Sequence, residues 1–168
     1  MTCVTLVLGG ARSGKSRFAE SLGKTAPGQR SYIATAEAID EEMRDRIARH
    51  RQQRGGGWST VEAPLDIVAA LNGCQPGFVL VDCLTVWLNN LIYRQRNVTE
   101  EVAALCAALA ETSNDVVLVA NEVGLSIVPE NALARRFRDE QGLANQRIAE
   151  VADEVYFVAA GLPMALKR

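Results

Sequence analysis

An α/β fold, with a mostly parallel sheet flanked by helices, is what this sequence predicts. Two observations carry that expectation. Short, near-continuous apolar runs rich in β-branched residues alternate with longer stretches of helical periodicity, which is the pattern of strands buried on both faces. The 168 residues suit a single domain spanning 1–168, able to bury about 70% of the surface its unfolded chain exposes.

"CVTLVL" (Cys3–Leu8) reads as a buried strand and Lys15 to about Lys24 as a helix. "RSYIAT" (Arg30–Thr35) is a second strand, followed by a long helix from Glu37 to about Gln53. In that helix Ile39, Met43 and Ile47 form an apolar stripe at a spacing of four residues. Gly55-Gly56-Gly57 is the only glycine run and reads as a flexible loop. "FVLVD" (Phe78–Asp82) is a third strand, and Leu84, Trp87, Leu88, Leu91 and Ile92 then share one helical face. "VVLVA" (Val116–Ala120) and "VYFVA" (Val155–Ala159) are further strands, each preceded by a helical pattern. The closing "AAGLPMALK" carries a turn signal, so an antiparallel edge hairpin is expected there.

Hydrophobic residues at 48%, charged residues at 23% and a net charge of −2 give no reason to expect a nucleic-acid or membrane partner. Cys3, Cys74, Cys83 and Cys106 include no C-x-x-C pair, and Cys3 and Cys83 lie in apolar runs. Reduced, mostly buried thiols are expected rather than a metal or disulfide framework. No basic leader precedes the first strand and no apolar run reaches the ~18 residues of a membrane span. The expected location is cytoplasmic.

Gly9, Gly10, Ala11, Arg12, Ser13, Gly14, Lys15 and Ser16 match the pattern G-x-x-x-x-G-K-S, with a strand before and a helix after, as a phosphate-binding loop requires. Glycines let successive backbone N–H groups turn onto phosphate oxygens, and the helix N-terminus adds partial positive charge. Lys15 would reach the β- and γ-phosphates, and the Ser16 hydroxyl would bind Mg²⁺. Asp82 ends an apolar strand, where such proteins keep the carboxylate that partners the metal; the alternative is an ordinary Asp in a turn. Asn121 and Glu122 end the next strand and either face the same crevice or belong to a plain loop.

The chain has a single histidine, His50, among Arg46, Arg49, Arg51 and Arg54. Two readings stand side by side. One is a packing residue or cap at the end of a solvated basic helix. The other is an imidazole kept neutral by like-charge repulsion, and so nucleophilic, beside arginines suited to phosphate oxygens.

Taken together, "LGGARSGKSRFAE", "YIATAE", "DEEMRDRIARHRQQR", Trp58 and Glu62 of "WSTVEA", "VDCLTVWLNN", "NEVG", "IVPE" and "GLPMALK" resemble the bifunctional adenosylcobinamide kinase/adenosylcobinamide-phosphate guanylyltransferases of cobalamin biosynthesis. The resemblance runs nearly end to end. It implies a RecA-like P-loop domain, a homotrimer and two reactions. ATP or GTP phosphorylates adenosylcobinamide; GTP then guanylylates a histidine, and the GMP passes to adenosylcobinamide phosphate. The nucleophile falls on His50, with Lys15 as its catalytic partner. The remaining nucleotide contacts fall on Gly9 to Ser16, on Ala34, Thr35 and Ala36, on Arg51, Gln52, Gln53 and Arg54, on Glu62 and on Asp82. Ser16 and Asp82 would hold Mg²⁺. Two departures are visible: Arg49-His50 replaces a histidine pair found in some relatives, and Asp82 replaces a frequent Glu. Arg135, Arg136 and Arg138 are either phosphate contacts or a solvated helix face. The rival readings are a small-molecule kinase without guanylyl transfer and a non-catalytic nucleotide-binding subunit.

Overall fold

The computed structural model describes residues 2–38 and 41–168, apart from the side chains of Glu42, Met43, Arg46, His50 and Gln53. The side chains of His50 and Gln53, and those of Ile39 and Met43 in the expected apolar stripe, therefore lie outside the described residues. The elements are β1 (Val4–Gly9), α1 (Lys15–Leu22), β2 (Gln29–Ala34), α2 (Glu41–Arg54), β3 (Trp58–Glu62), α3 (Ile67–Asn72) and β4 (Gly77–Asp82). They continue with α4 (Leu84–Tyr93), α5 (Val98–Glu111), β5 (Asp115–Asn121), α6 (Ala132–Val151), β6 (Glu154–Ala159) and β7 (Leu162–Lys167).

One sheet runs in the order β3-β2-β4-β5-β1-β6-β7. Every pairing is parallel except β6 with β7. Alternation along β1 sends Leu6 and Leu8 to one face and Val7 to the other. The first face is covered by α3, α4, α5 and α6, whose Ile67, Trp87, Leu91, Leu105 and Ile148 pack on Leu6, Val79, Val81 and Leu118. The second is covered by α1, with Phe18, Ala19 and Leu22 on Val7, Leu80, Val117 and Val119. The expected stripe of α4 is fully buried, and Trp87 satisfies its indole N–H on Leu65 O at 2.7 Å.

The topology places the functional edge. From β1 the chain crosses past β5 and β4 to reach β2, whereas from β5 it passes β1 in the other direction to reach β6. Connections that leave neighbouring β1 and β5 in opposite directions open a crevice at the C-terminal ends of the strands, the usual ligand position in such sheets.

The C-terminal hairpin forms as expected. Its turn residues Ala160 and Gly161 have φ of 52° and 80°, the positive pair that suits a tight hairpin's twist. Lys167 on β7 donates to the carbonyls of Ala149, Glu150 and Ala152, closing the C-terminal end of α6. No described helix is long and apolar enough to cross a membrane.

Two elements carry no signal in the sequence, and two expectations need correction. Trp58–Glu62, after the glycine run, is an edge strand paired with β2. An edge strand needs no continuous apolar run, so "WSTVE" gave no signal. The six residues of α3 are too few for a helical period to register. The second long helix starts at Glu41 rather than Glu37. The preceding chain is tied to α4, since Thr35 N donates to Asp82 O and Asn90 Nδ2 donates to Thr35 O at 2.9 Å. The four thiols are free but half-buried rather than buried, and Cys3 and Cys83 flank β1 and β4 instead of lying within them.

Candidate active site

The glycine-rich loop is braced from three sides. Gly14 enters α1 with φ of 95°, a left-handed conformation that favours glycine. A Cβ on Gly9 would stand 2.5 Å from Ser13 Oγ and 2.6 Å from the carbonyl oxygen of Val158. Gly161 N, in the β6–β7 turn, donates to Ser13 O at 2.8 Å. The hairpin at the end of the chain thus supports the loop near its start. Lys15 Nζ donates to Gly10 O at 3.0 Å, which keeps its ammonium over the loop. Ser13 Oγ is buried with no partner among the described residues, so the loop retains an unsatisfied hydroxyl. Arg12 sits at the loop's crest with φ of 56°, next to exposed Ala11.

Register aligns the remaining expected positions along one edge. Ala34 stands opposite Glu62 on one side and Asp82 on the other, and Gly9 stands opposite Asn121. The register row from Glu62 through Ala34 and Asp82 continues to Val119 and Val7, two residues before Gly9, where the loop begins. Tyr32 donates its phenolic O–H to Asp82 Oδ2 at 3.1 Å. Burial and the Asp82 charge push the Tyr32 pKa well above its ordinary value. The same two causes push the Cys83 thiol up to about 11, so neither neighbour competes with Asp82 as an anion near neutral pH.

Thr35, at the turn after β2, points its side chain inward. It is fully buried, and its hydroxyl donates to Cys83 O at 2.8 Å and accepts from Cys83 N at 2.9 Å. Its side chain holds the turn between Ala34 and Ala36 rather than facing solvent.

The last turn of α2 meets this row. Arg51 pairs with Glu62 at 2.9 Å, both side chains half or more exposed, so the pair contributes little to stability. Gln52 is exposed. Arg54 lies over the Tyr32 ring, 3.5 Å from its centroid, and donates to Thr60 Oγ1 at 3.1 Å. That stack, desolvated between Tyr32 and Trp58, is the stronger tether. Arg54, Tyr32 and Asp82 form a chain of contacts that sequence alone did not suggest. Its links depend on which strand lies beside which.

At the end of β5, between Asp82 and the loop in strand order, Glu122 N donates to Gly9 O at 3.1 Å. The arginines of α6 have partners of their own: Arg135 bonds the carbonyls of Pro129 and Glu130, Arg136 approaches Glu140 at 3.9 Å, and Arg138 pairs with Asp139 at 2.9 Å. Asn131 caps the helix through Leu133 N and Ala134 N.

Two solved structures share the fold. A prototypical ATPase from the type III secretion system of pathogenic bacteria superposes with a TM-score of 0.52 at 10% identity, over 97% of this chain and 56% of that one. The VirB11 ATPase from the Brucella suis type IV secretion system does so with 0.50 at 14%, over 98% and 47%. The chain thus spans about half the length of these two proteins. Sequence relatives are nearer. The bifunctional adenosylcobalamin biosynthesis protein CobP of Pseudomonas aeruginosa is 48% identical over 166 residues, covering 96% of each chain. The bifunctional protein CobU of Salmonella typhimurium is 41% identical over 179 residues, covering 96% of this chain and 98% of that one. The family model described as cobinamide kinase / cobinamide phosphate guanyltransferase matches residues 5–166. The chain belongs to that family and is an enzyme of its kind.

Proposed function

We propose that this enzyme phosphorylates the terminal hydroxyl of adenosylcobinamide with ATP or GTP, and then transfers GMP from GTP to the phosphorylated product through His50. One observation carries the second half of that reading: Arg54 stacks on Tyr32, whose hydroxyl bonds Asp82. The helix bearing His50 is thereby docked onto the strand end that faces the phosphate loop.

The loop's N–H groups and Lys15 bind the triphosphate. Ser16, in the first turn of α1, and Asp82 supply two oxygens. That donor set fits Mg²⁺, which takes few protein ligands and the rest from phosphates and water. Held by Ser16 and Asp82, the ion would supply positive charge against the triphosphate.

In guanylyl transfer a neutral imidazole nitrogen of His50 bonds to the α-phosphorus, and the bond from that phosphorus to pyrophosphate breaks. Lys15 stabilises the departing charge. A phosphate oxygen of the acceptor then displaces the imidazole, giving adenosylcobinamide-GDP. Four strand steps separate β1 from β3, or roughly 19 Å at the usual sheet spacing, a span an extended nucleoside triphosphate covers. Glu62 at that far end can accept both guanine N1–H and the 2-amino group, and its exposed pairing with Arg51 exchanges at little cost.

Incubation with Mg²⁺ and GTP labelled at the α-phosphate tests the reading. An acid-labile, alkali-stable label on the peptide containing His50 is expected. Label carried only by a serine, lysine or acidic residue, or none on a folded protein that binds GTP, would leave the plain kinase as the better account.

A further inference from the structure

The loop joining β5 to α6 frames a cavity of about 400 Å³ beside the phosphate loop, lined by Gly10, Glu122, Val123, Leu125, Ser126 and Phe157. Its position follows from the backbone, because Glu122 N is bonded to Gly9 O. Glu122 is the one ionisable group among those six residues. Its Oε1 accepts from Gly124 N at 2.5 Å, and Oε2 takes no hydrogen bond among the described residues. Val123, Leu125 and Phe157 of the lining are apolar, and Leu125 and nearby Ile127 in the same loop stand 84% and 94% exposed. An oriented carboxylate thus lies in an apolar hollow that opens onto the phosphate loop, at the end of β5, which stands between the loop's strand β1 and the strand β4 that ends in Asp82.

We propose that this cavity receives the hydroxyl-bearing arm of the phosphoryl acceptor, and that Glu122 is the base that takes the hydroxyl proton. The inference rests on the kinase reading above and deepens it. A corrinoid is far too large for the cavity, so its alcohol arm enters while the macrocycle stays outside against Leu125 and Ile127. The hydroxyl oxygen bonds to the γ-phosphorus. The bond from that phosphorus to the bridging oxygen breaks, and the nucleoside diphosphate leaves with the electron pair. The proton passes to the Glu122 carboxylate and from there to water.

The test uses the full chain with Mg²⁺, GTP and cobinamide. Glu122→Gln keeps an oxygen for Gly124 N. It is expected to lower kcat for cobinamide-dependent diphosphate release by roughly 10²–10⁴ and to remove the acid limb of the pH profile. Labelling of the protein by α-labelled GTP without cobinamide reports that the fold and nucleotide site are intact. Leu125→Ser is expected to raise KM for cobinamide several-fold and leave KM for GTP unchanged. A Glu122→Gln enzyme within about 3-fold of the parent kcat, with the same pH profile, overturns the base. An unchanged cobinamide KM in Leu125→Ser, or a change confined to oligomeric state, overturns the docking and gives that rim to a second copy of the chain. If the parent enzyme takes the GMP label but phosphorylates no cobinamide, the kinase reading falls and takes this inference with it.

Discussion

The phosphate loop and the helix that carries His50 share one sheet edge, yet they are attached to it in different ways. The loop is held by backbone. It follows a central strand paired on both sides, is braced by Gly161 N, and has no room for a side chain at Gly9. The helix α2 is held by side chains of its last turn, through the exposed Arg51–Glu62 pair and the Arg54 stack. A phosphate cradle must present several N–H groups in fixed directions, and only the main chain can do so. If His50 acts as proposed, it serves one of two reactions and needs an attachment that can be uncoupled from the cradle. Side-chain contacts at a strand edge would supply it.

Substitutions can separate the two regions. Lys15→Ala should have the largest effect, lowering both phosphoryl and guanylyl transfer by about 10³-fold or more, with stability changed by under about 0.5 kcal/mol; steady-state kinetics and urea unfolding check this. Loss of only one activity would break the idea of a shared cradle.

Gly9→Ala should cost about 3 kcal/mol, because the new methyl meets the Val158 carbonyl and Ser13. The shift in urea midpoint measures it, and an unchanged midpoint would mean the loop is not held as tightly as described.

The junction between the regions responds to pH. Burial and the Asp82 charge push the folded Cys83 thiol up to about 11 from its ordinary value of 9.0. Stability is therefore fully present below pH 9 and falls as pH rises towards 11, by about 2 kcal/mol. Tyr32, shifted in the same direction, adds to the fall. Denaturant titrations without Mg²⁺ or nucleotide should show this slope, reduced in Cys83→Ser.

Arg54→Met keeps much of the volume but removes the guanidinium. It should slow labelling by GTP about 10-fold while leaving phosphoryl transfer within about 2-fold. Equal losses in both would place Arg54 in the cradle instead.

The same contrast explains what was legible in the sequence. Gly9 to Ser16 form a contiguous pattern between a strand and a helix, so their shape could be read directly. Asp82 was visible because it ends an apolar run. The Tyr32–Asp82 bond was not, since it depends on β2 lying beside β4 in one register. Trp58–Glu62 was missed because an edge strand alternates weakly, and with it went the reason Arg54 turns towards Trp58. The arginines around His50 permitted two readings, and local charge did not choose between them. The family resemblance favours the nucleophilic reading, which labelling by GTP tests.

The most direct measurement is to assay both half-reactions in His50→Ala. The account predicts that guanylylation of the protein is abolished while phosphoryl transfer to cobinamide stays within about 3-fold of the parent enzyme. Guanylylation that survives, or both activities falling together in a folded protein that still binds GTP, would contradict it.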